Sequence, residues 1–159
     1  MGADLYVKKM DRENQYRGFE VSQDAVDSGY FRDCYNSYGL FQVMSATLGE
    51  SLSWWQIANE EHLFRQDDED GAVMTVEGIK LWKEKMFPLL KQFKNRKVLY
   101  RSEYIGGIEN FSTNWANPKC HKKIKIQPEK VKEYHDWANL LINFIELAEK
   151  NNSEIIWSV

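Results

Sequence analysis

The residues that gather the most chemistry in the shortest space lie in "GYFRDCYNSYG", residues 29–39, where Tyr30, Arg32, Asp33, Tyr35 and Asn36 are set among Phe31 and Tyr38. An arginine beside tyrosines and an asparagine can bind a carboxylate or phosphate through two parallel hydrogen bonds, with the rings closing the pocket to water. Residues 22–38 read as a helix, on which Arg32 and Asn36, four apart, share one face and Asp33 flanks them. The following stretch, "LSWWQIANEEHLF", lies in a second helical reading, residues 41–62, with Gly39 and Gly49 as breaks. Neighbouring residues on a helix point about 100° apart, so one of Trp54 and Trp55 should enter the core while the other stays partly exposed. Tyr30, Arg32, Asp33, Tyr35, Asn36 and Trp55 are therefore the candidate ligand- or partner-binding residues. The same residue types could equally form an internal Arg–Asp network that positions this segment against a sheet, and the sequence leaves both readings open. An enzymatic version has Arg32 holding an anionic small molecule while Asp33 or a nearby histidine moves a proton. No more definite catalytic set is legible.

Other constellations carry weaker signals. "QDDEDGAVMTVE", residues 66–77, can be laid on a twelve-residue calcium loop with Asp68, Asp70, Gly71 and Glu77 in register and helices on both sides, but Gln66 stands where such loops favour Asp. The plain alternative is a solvated acidic loop ahead of a helix whose positive end favours Glu77. His62, His121 and His135 have no recurrent ligand spacing and HExxH is missing, so no metal site and no cofactor is expected. "NPKCHKKIKIQPEKVK" is rich in lysine; Lys119, Lys122, Lys123, Lys125, Lys130 and Lys132 could meet phosphates, and they could equally be the charges that guard an edge strand. Cys120 beside His121 could form a reactive pair, although adjacent residues seldom aim at one atom. GxSxG, GxGxxG and GxxxxGK[ST] do not occur, which removes the common hydrolase, dinucleotide and P-loop readings.

The elements that must position these groups are readable in outline. "ADLYVKK" alternates Ala3, Leu5 and Val7 with Asp4, Tyr6 and Lys8, as a half-buried strand does, and "EIIWSV" at the other end is β-branched and aromatic. Both termini should share one small sheet. "VLYRSEY" (98–104) and "KKIKIQ" (122–127) are further strands. Thr75 caps a helix carrying Ile79, Trp82, Met86, Leu90 and Phe93, which Pro88 should kink or divide. After Pro128, Val131, Tyr134, Ala138, Leu141, Ile145 and Ala148 mark a second long helix, widened by Trp137, Leu140, Phe144 and Leu147 into a mostly buried one. Residues 1–159 should form one globular α+β domain, mainly helical, with a small sheet that includes both termini.

Composition bounds the rest. A chain of 159 residues can bury roughly two-thirds of its unfolded surface without staples. The net charge of -3 makes it neither polyanion nor polycation, so nucleic acid is not the expected partner. Cys34 and Cys120 are too few for a disulfide framework, and "MGADLYVKK" has no apolar core of signal-peptide length, which points to a cytoplasmic protein. No apolar run approaches the roughly 20 residues of a membrane helix, and Tyr6 stands where a myristoylation signal needs Ser or Thr. The 14% aromatic content suits cores and recognition surfaces alike.

Taken together, "MGADLY", "GYFRDCYN" and the final "IIWSV" resemble a group of small, uncharacterised bacterial and phage proteins that begin MGADLY and carry GYFRDSYN before a Trp-rich stretch, here "LSWW". The likeness covers about a third of the chain by these motifs, and Cys34 replaces the group's serine. It implies a phage or mobile-element provenance and no activity. The reading that follows is a small cytosolic binding or interaction protein whose partner is a protein or an anionic small molecule.

Overall fold

The computed structural model describes residues 2–10, 15 and 20–159. Strand β1 (Gly2–Val7) carries the alternation expected of it: Ala3, Leu5 and Val7 are fully buried. A short helix, α1 (Gln23–Asp27), is capped by Ser22, whose hydroxyl accepts from Ala25 N, and ends before Gly29 at φ +92°. The chain then enters strand β2 (Tyr30–Cys34), which lies antiparallel to β1 with Asp4 opposite Arg32 and Leu5 opposite Phe31. This corrects the helix expected over 22–38. Five residues of mixed polarity fit either period, and the free edge of β1 decides for the strand.

Helices α2 (Leu40–Leu48) and α3 (Trp54–Ala58) follow, with Gly39 at the N-cap of α2 and Gly49 at its C-cap in the left-handed region. The break falls at Gly49, as expected within the helical reading of 41–62, but the second part is helical only over Trp54–Ala58. A hairpin of β3 (Phe64–Asp67) and β4 (Gly71–Met74) comes next. Helix α4 (Val76–Lys94) is capped by the Thr75 hydroxyl, which accepts from Gly78 N at 2.9 Å. It runs through Pro88 undivided, with Ile79, Trp82, Met86, Leu90 and Phe93 buried along one face. Strands β5 (Tyr100–Tyr104) and β6 (His121–Lys125) flank the four-residue helix α5 (Phe111–Asn114). Helix α6 (Val131–Lys150) and strand β7 (Ile155–Ser158) complete the chain.

The main sheet has the order β2-β1-β7-β4-β3, all pairs antiparallel, so the strands near both termini are hydrogen-bonded neighbours at its centre. Phe31, Leu5 and Trp157 line one row of its inner face, and α4 and α6 pack beneath them with Trp54, Trp82 and Phe144. The architecture is α+β, as expected. One arrangement was not: β5 and β6 form a separate two-stranded sheet that stands apart from the main one, beside α2. No helix of the described residues is long and apolar enough to cross a membrane.

Candidate functional site

The six residues singled out in the sequence divide into four structural groups. Because β2 is a strand, Arg32 and Asp33 leave it on opposite faces. Arg32 donates to Asp4 Oδ1 at 2.7 Å, and the Tyr30 hydroxyl donates to the same oxygen at 2.5 Å. Burial works against the Arg32 charge, yet the Tyr30 hydroxyl and the Asp4 carboxylate outweigh it and hold its pKa above the ordinary value. Burial and the bond to Asp4 likewise push the Tyr30 phenol far up. The crevice beside Arg32, between α1 and α6, is too narrow for a water molecule. Tyr35 lies against Trp55, with ring centroids 5.9 Å apart, and its buried hydroxyl has no hydrogen-bond partner among the described residues. Trp54 is buried and Trp55 is 57% exposed, the division expected for adjacent helical tryptophans.

Asp33 is the surprise of the set. It is completely buried, and four donors converge on it: Cys34 N and Leu40 N reach Oδ1 at 2.7 Å each, and Phe41 N at 3.0 Å and Trp54 Nε1 at 2.7 Å reach Oδ2. Helix α2 begins at a glycine with no side chain to cap it, so Asp33 supplies the cap from another element. Gly39 must be glycine for this contact, since a Cβ there would lie 2.1 Å from the Cys34 carbonyl oxygen and 3.0 Å from Asp33 Oδ1. Burial raises the Asp33 pKa to about 6, and the bonds from Phe41, Trp54, Leu40 and Cys34 limit the rise. The carboxylate is ionised at neutral pH and fully engaged. The concave pocket joining Arg32 to Asp33 that an enzymatic reading requires is not formed among the described residues.

Asn36 has a smaller, well-defined task. Its Oδ1 accepts from Tyr38 N at 2.9 Å, closing a turn that projects Tyr38 away from the core. The Tyr38 ring receives the Arg101 guanidinium over its face at 4.6 Å, and Arg101 Nη1 lies 3.5 Å from Ser37 Oγ. The Tyr38 carbonyl accepts the Tyr134 hydroxyl at 2.7 Å, and the Tyr134 ring is stacked near Trp137 at 6.0 Å. Burial pushes the Tyr134 phenol up to about 12, so it stays a donor. These groups wall a cavity of about 520 Å³ between β5–β6 and the start of α6, lined also by Lys125, Lys130 and Glu133. That volume lies in the range of small-molecule sites. Lys125 and Lys130 come from the lysine-rich stretch that the sequence offers for phosphates, whereas Tyr38, Arg101, Tyr134 and Trp137 are the part of this site that sequence reasoning missed. The signal was present in pieces: Arg101 inside a strand pattern, the lysines on either side of Pro128, and two polar-tipped aromatics at the head of a helix read as buried.

Two other expectations are corrected. The calcium frame at 66–77 is the β3–β4 hairpin, with Asp67 paired to Gly71, and the helix required before it is absent. Asp68 is exposed, Asp70 lies 3.8 Å from Lys8, and Glu77 is exposed in the first turn of α4, 3.4 Å from Lys80. No group of three or more His, Cys, Asp or Glu gathers as a metal site among the described residues. His121 does not face Cys120: its Nε2 bonds the Trp115 carbonyl at 2.6 Å, and its ring packs edge-on against Trp115 and Tyr104.

No family model, curated protein or solved structure matches this chain. The site is accordingly interpreted from its own chemistry: an open, aromatic-walled cavity with three cationic side chains on an α+β scaffold.

Proposed function

We propose that this is a small binding protein and that the cavity between β5–β6 and α6 receives an anionic group of its ligand or partner. The observation that carries this reading is the Arg101 guanidinium, which lies over the Tyr38 ring, 4.6 Å from its centroid, in a cavity that Lys125 and Lys130 also line. A guanidinium over an aromatic face is held in place while keeping N–H donors for a carboxylate or phosphate. The rings of Tyr134 and Trp137 add apolar area and lower the local dielectric around the ion pair. The chemistry first sought around Arg32, arginine and tyrosine against an anion, is thereby transferred to Arg101. Free Cys34 and Cys120 are in keeping with a cytoplasmic protein. A bacterial or phage provenance rests on the MGADLY and GYFRDCYN motifs alone.

Melting shifts and calorimetry with inorganic phosphate, succinate and nucleoside monophosphates test this. Binding that weakens with salt and falls about tenfold or more in Arg101→Ala, at nearly unchanged stability, is the expected result. Equal binding by wild type and Arg101→Ala, or no response of the wild type to any anion, overturns it.

A further inference from the structure

Strand β6 connects the aromatic cluster around His121 to the Arg101 cavity. At its start, His121 packs against Trp115 and Tyr104, which the exposed Phe111 also contacts; at its end, Ile124, Lys125 and Ile126 line the Arg101 cavity. The opposite face of the same hairpin, through Ser102 and Lys123, overlooks a shallower groove of about 730 Å³ that also includes Trp115.

The two edges of this hairpin differ. Ile126 N donates to Leu99 O at 2.8 Å and Ile105 N to Cys120 O at 2.7 Å, with Arg101 opposite Ile124 and Glu103 opposite Lys122 between them. Antiparallel alternation makes these the pairs that exchange main-chain bonds, so Tyr100 points its N–H and C=O the other way. There Thr47 of α2 covers it: Tyr100 N donates to Thr47 Oγ1 at 2.9 Å, and that hydroxyl donates to Tyr100 O at 3.4 Å. By the same alternation, Lys123 and Lys125 turn their N–H and C=O away from β5. No described residue bonds these four groups, both residues are exposed, and no strand of the described residues lies on that side of β6.

We infer that the free edge of β6 pairs with an extended, acidic segment of a protein partner, which adds a third strand to the hairpin. Strand addition needs an unpaired edge for main-chain bonds and pockets on both faces for alternate side chains. Both are present here, over a strand of about 17 Å. The charge decides the partner: Lys122, Lys123 and Lys125 along the edge, with Arg101 and Lys130 at its end, repel a second copy of the same strand and attract carboxylates. Side chains facing the Arg101 cavity would carry the acidic groups, so this inference rests on the anion reading of that cavity for its choice of partner.

A labelled peptide alternating Glu and Val is the probe, measured by fluorescence anisotropy. Lys123→Pro removes an N–H that points outward and spares the bonds to β5, as proline at an edge position does. Lys123→Ala keeps the N–H and removes the charge. The expected result is a loss of about tenfold or more for Lys123→Pro and at most roughly threefold for Lys123→Ala. Equal loss in both variants overturns edge pairing. Wild-type protein that binds phosphate and ignores the peptide also overturns it, while leaving the anion cavity intact; peptide bound and phosphate ignored overturns the anion cavity instead. Should Lys123→Pro fail to fold, amide exchange of the wild type decides the question. Lys123 and Lys125 amides become protected on peptide binding if the edge is used, and unchanged exchange of both sinks the inference.

Discussion

Two regions of this protein place a charged group among aromatic rings, and they are built to opposite ends. Around Asp33 every carboxylate lone-pair direction is met by an N–H, the group has no exposure, and the Trp54 ring that donates to it is itself stacked on Phe41 at 3.9 Å. Around Arg101 the guanidinium meets a ring face and a distant hydroxyl, and the wall beside it opens on about 520 Å³ of space. A saturated charge holds a fold together, because any change leaves donors buried without acceptors. A charge with spare donors and access to solvent can still bind something.

Asp33→Ala leaves the amides of Leu40 and Phe41 and the Trp54 indole without an acceptor in the core, and should cost about 3–5 kcal/mol in urea denaturation. A loss below about 1 kcal/mol would show that the cap of α2 does not depend on Asp33.

Next comes a pH effect. The folded pKa of Asp33, about 6, lies above the unfolded value near 4, so the folded state binds the proton more tightly. The contribution of this group to stability is therefore full below about pH 4 and is lost as pH rises through 6. Relative to Asp33→Asn, which does not titrate, the wild type should lose about 2–3 kcal/mol between pH 4 and pH 7. Pairing the two proteins cancels the opposing effect of Asp67 and Glu154, whose depressed pKa values withdraw stability as pH falls. A pH-independent difference between the two proteins would contradict the assignment.

Arg32→Ala sharpens the contrast by testing a residue that belongs to neither region. It removes the partner of Asp4 in a half-buried pair and should lower stability by about 1–2 kcal/mol while leaving anion binding at Arg101 unchanged. Loss of anion binding with unchanged melting would return the site to Arg32. The smallest effect is expected from Tyr134→Phe, which deletes the bond to the Tyr38 carbonyl and should cost about 1 kcal/mol, with a modest weakening of anion binding as Tyr38 loosens. No change in either measurement would detach Tyr134 from the site.

Much of the scaffold was legible because its signals are local and repeated. The alternation in "ADLYVKK", the Thr75 cap and the apolar stripes of the two long helices each recur over several residues, and each appears where the pattern placed it. The short segments were not legible. Tyr30–Cys34 and Gly71–Met74 are too brief for a period to show, and the pairing that holds Tyr30–Cys34 on Gly2–Val7 and Gly71–Met74 on Ile155–Ser158 comes from residues far away in sequence. Pro88 failed to divide α4 because tertiary burial on both sides of it outweighs one missing hydrogen bond.

The site was less legible still. From the sequence, Arg32 and Arg101 are equivalent candidates: each precedes a short polar or acidic residue within an aromatic stretch. Only the register of β1 against β2 places Asp4 on Arg32, and only the turn at Asn36 places Tyr38 under Arg101. Local interactions between residues three or four apart therefore determined where helices and end strands form. Which charges are saturated, and which remain open at a cavity, is a matter of contacts across tens of residues, and tertiary structure alone decided it.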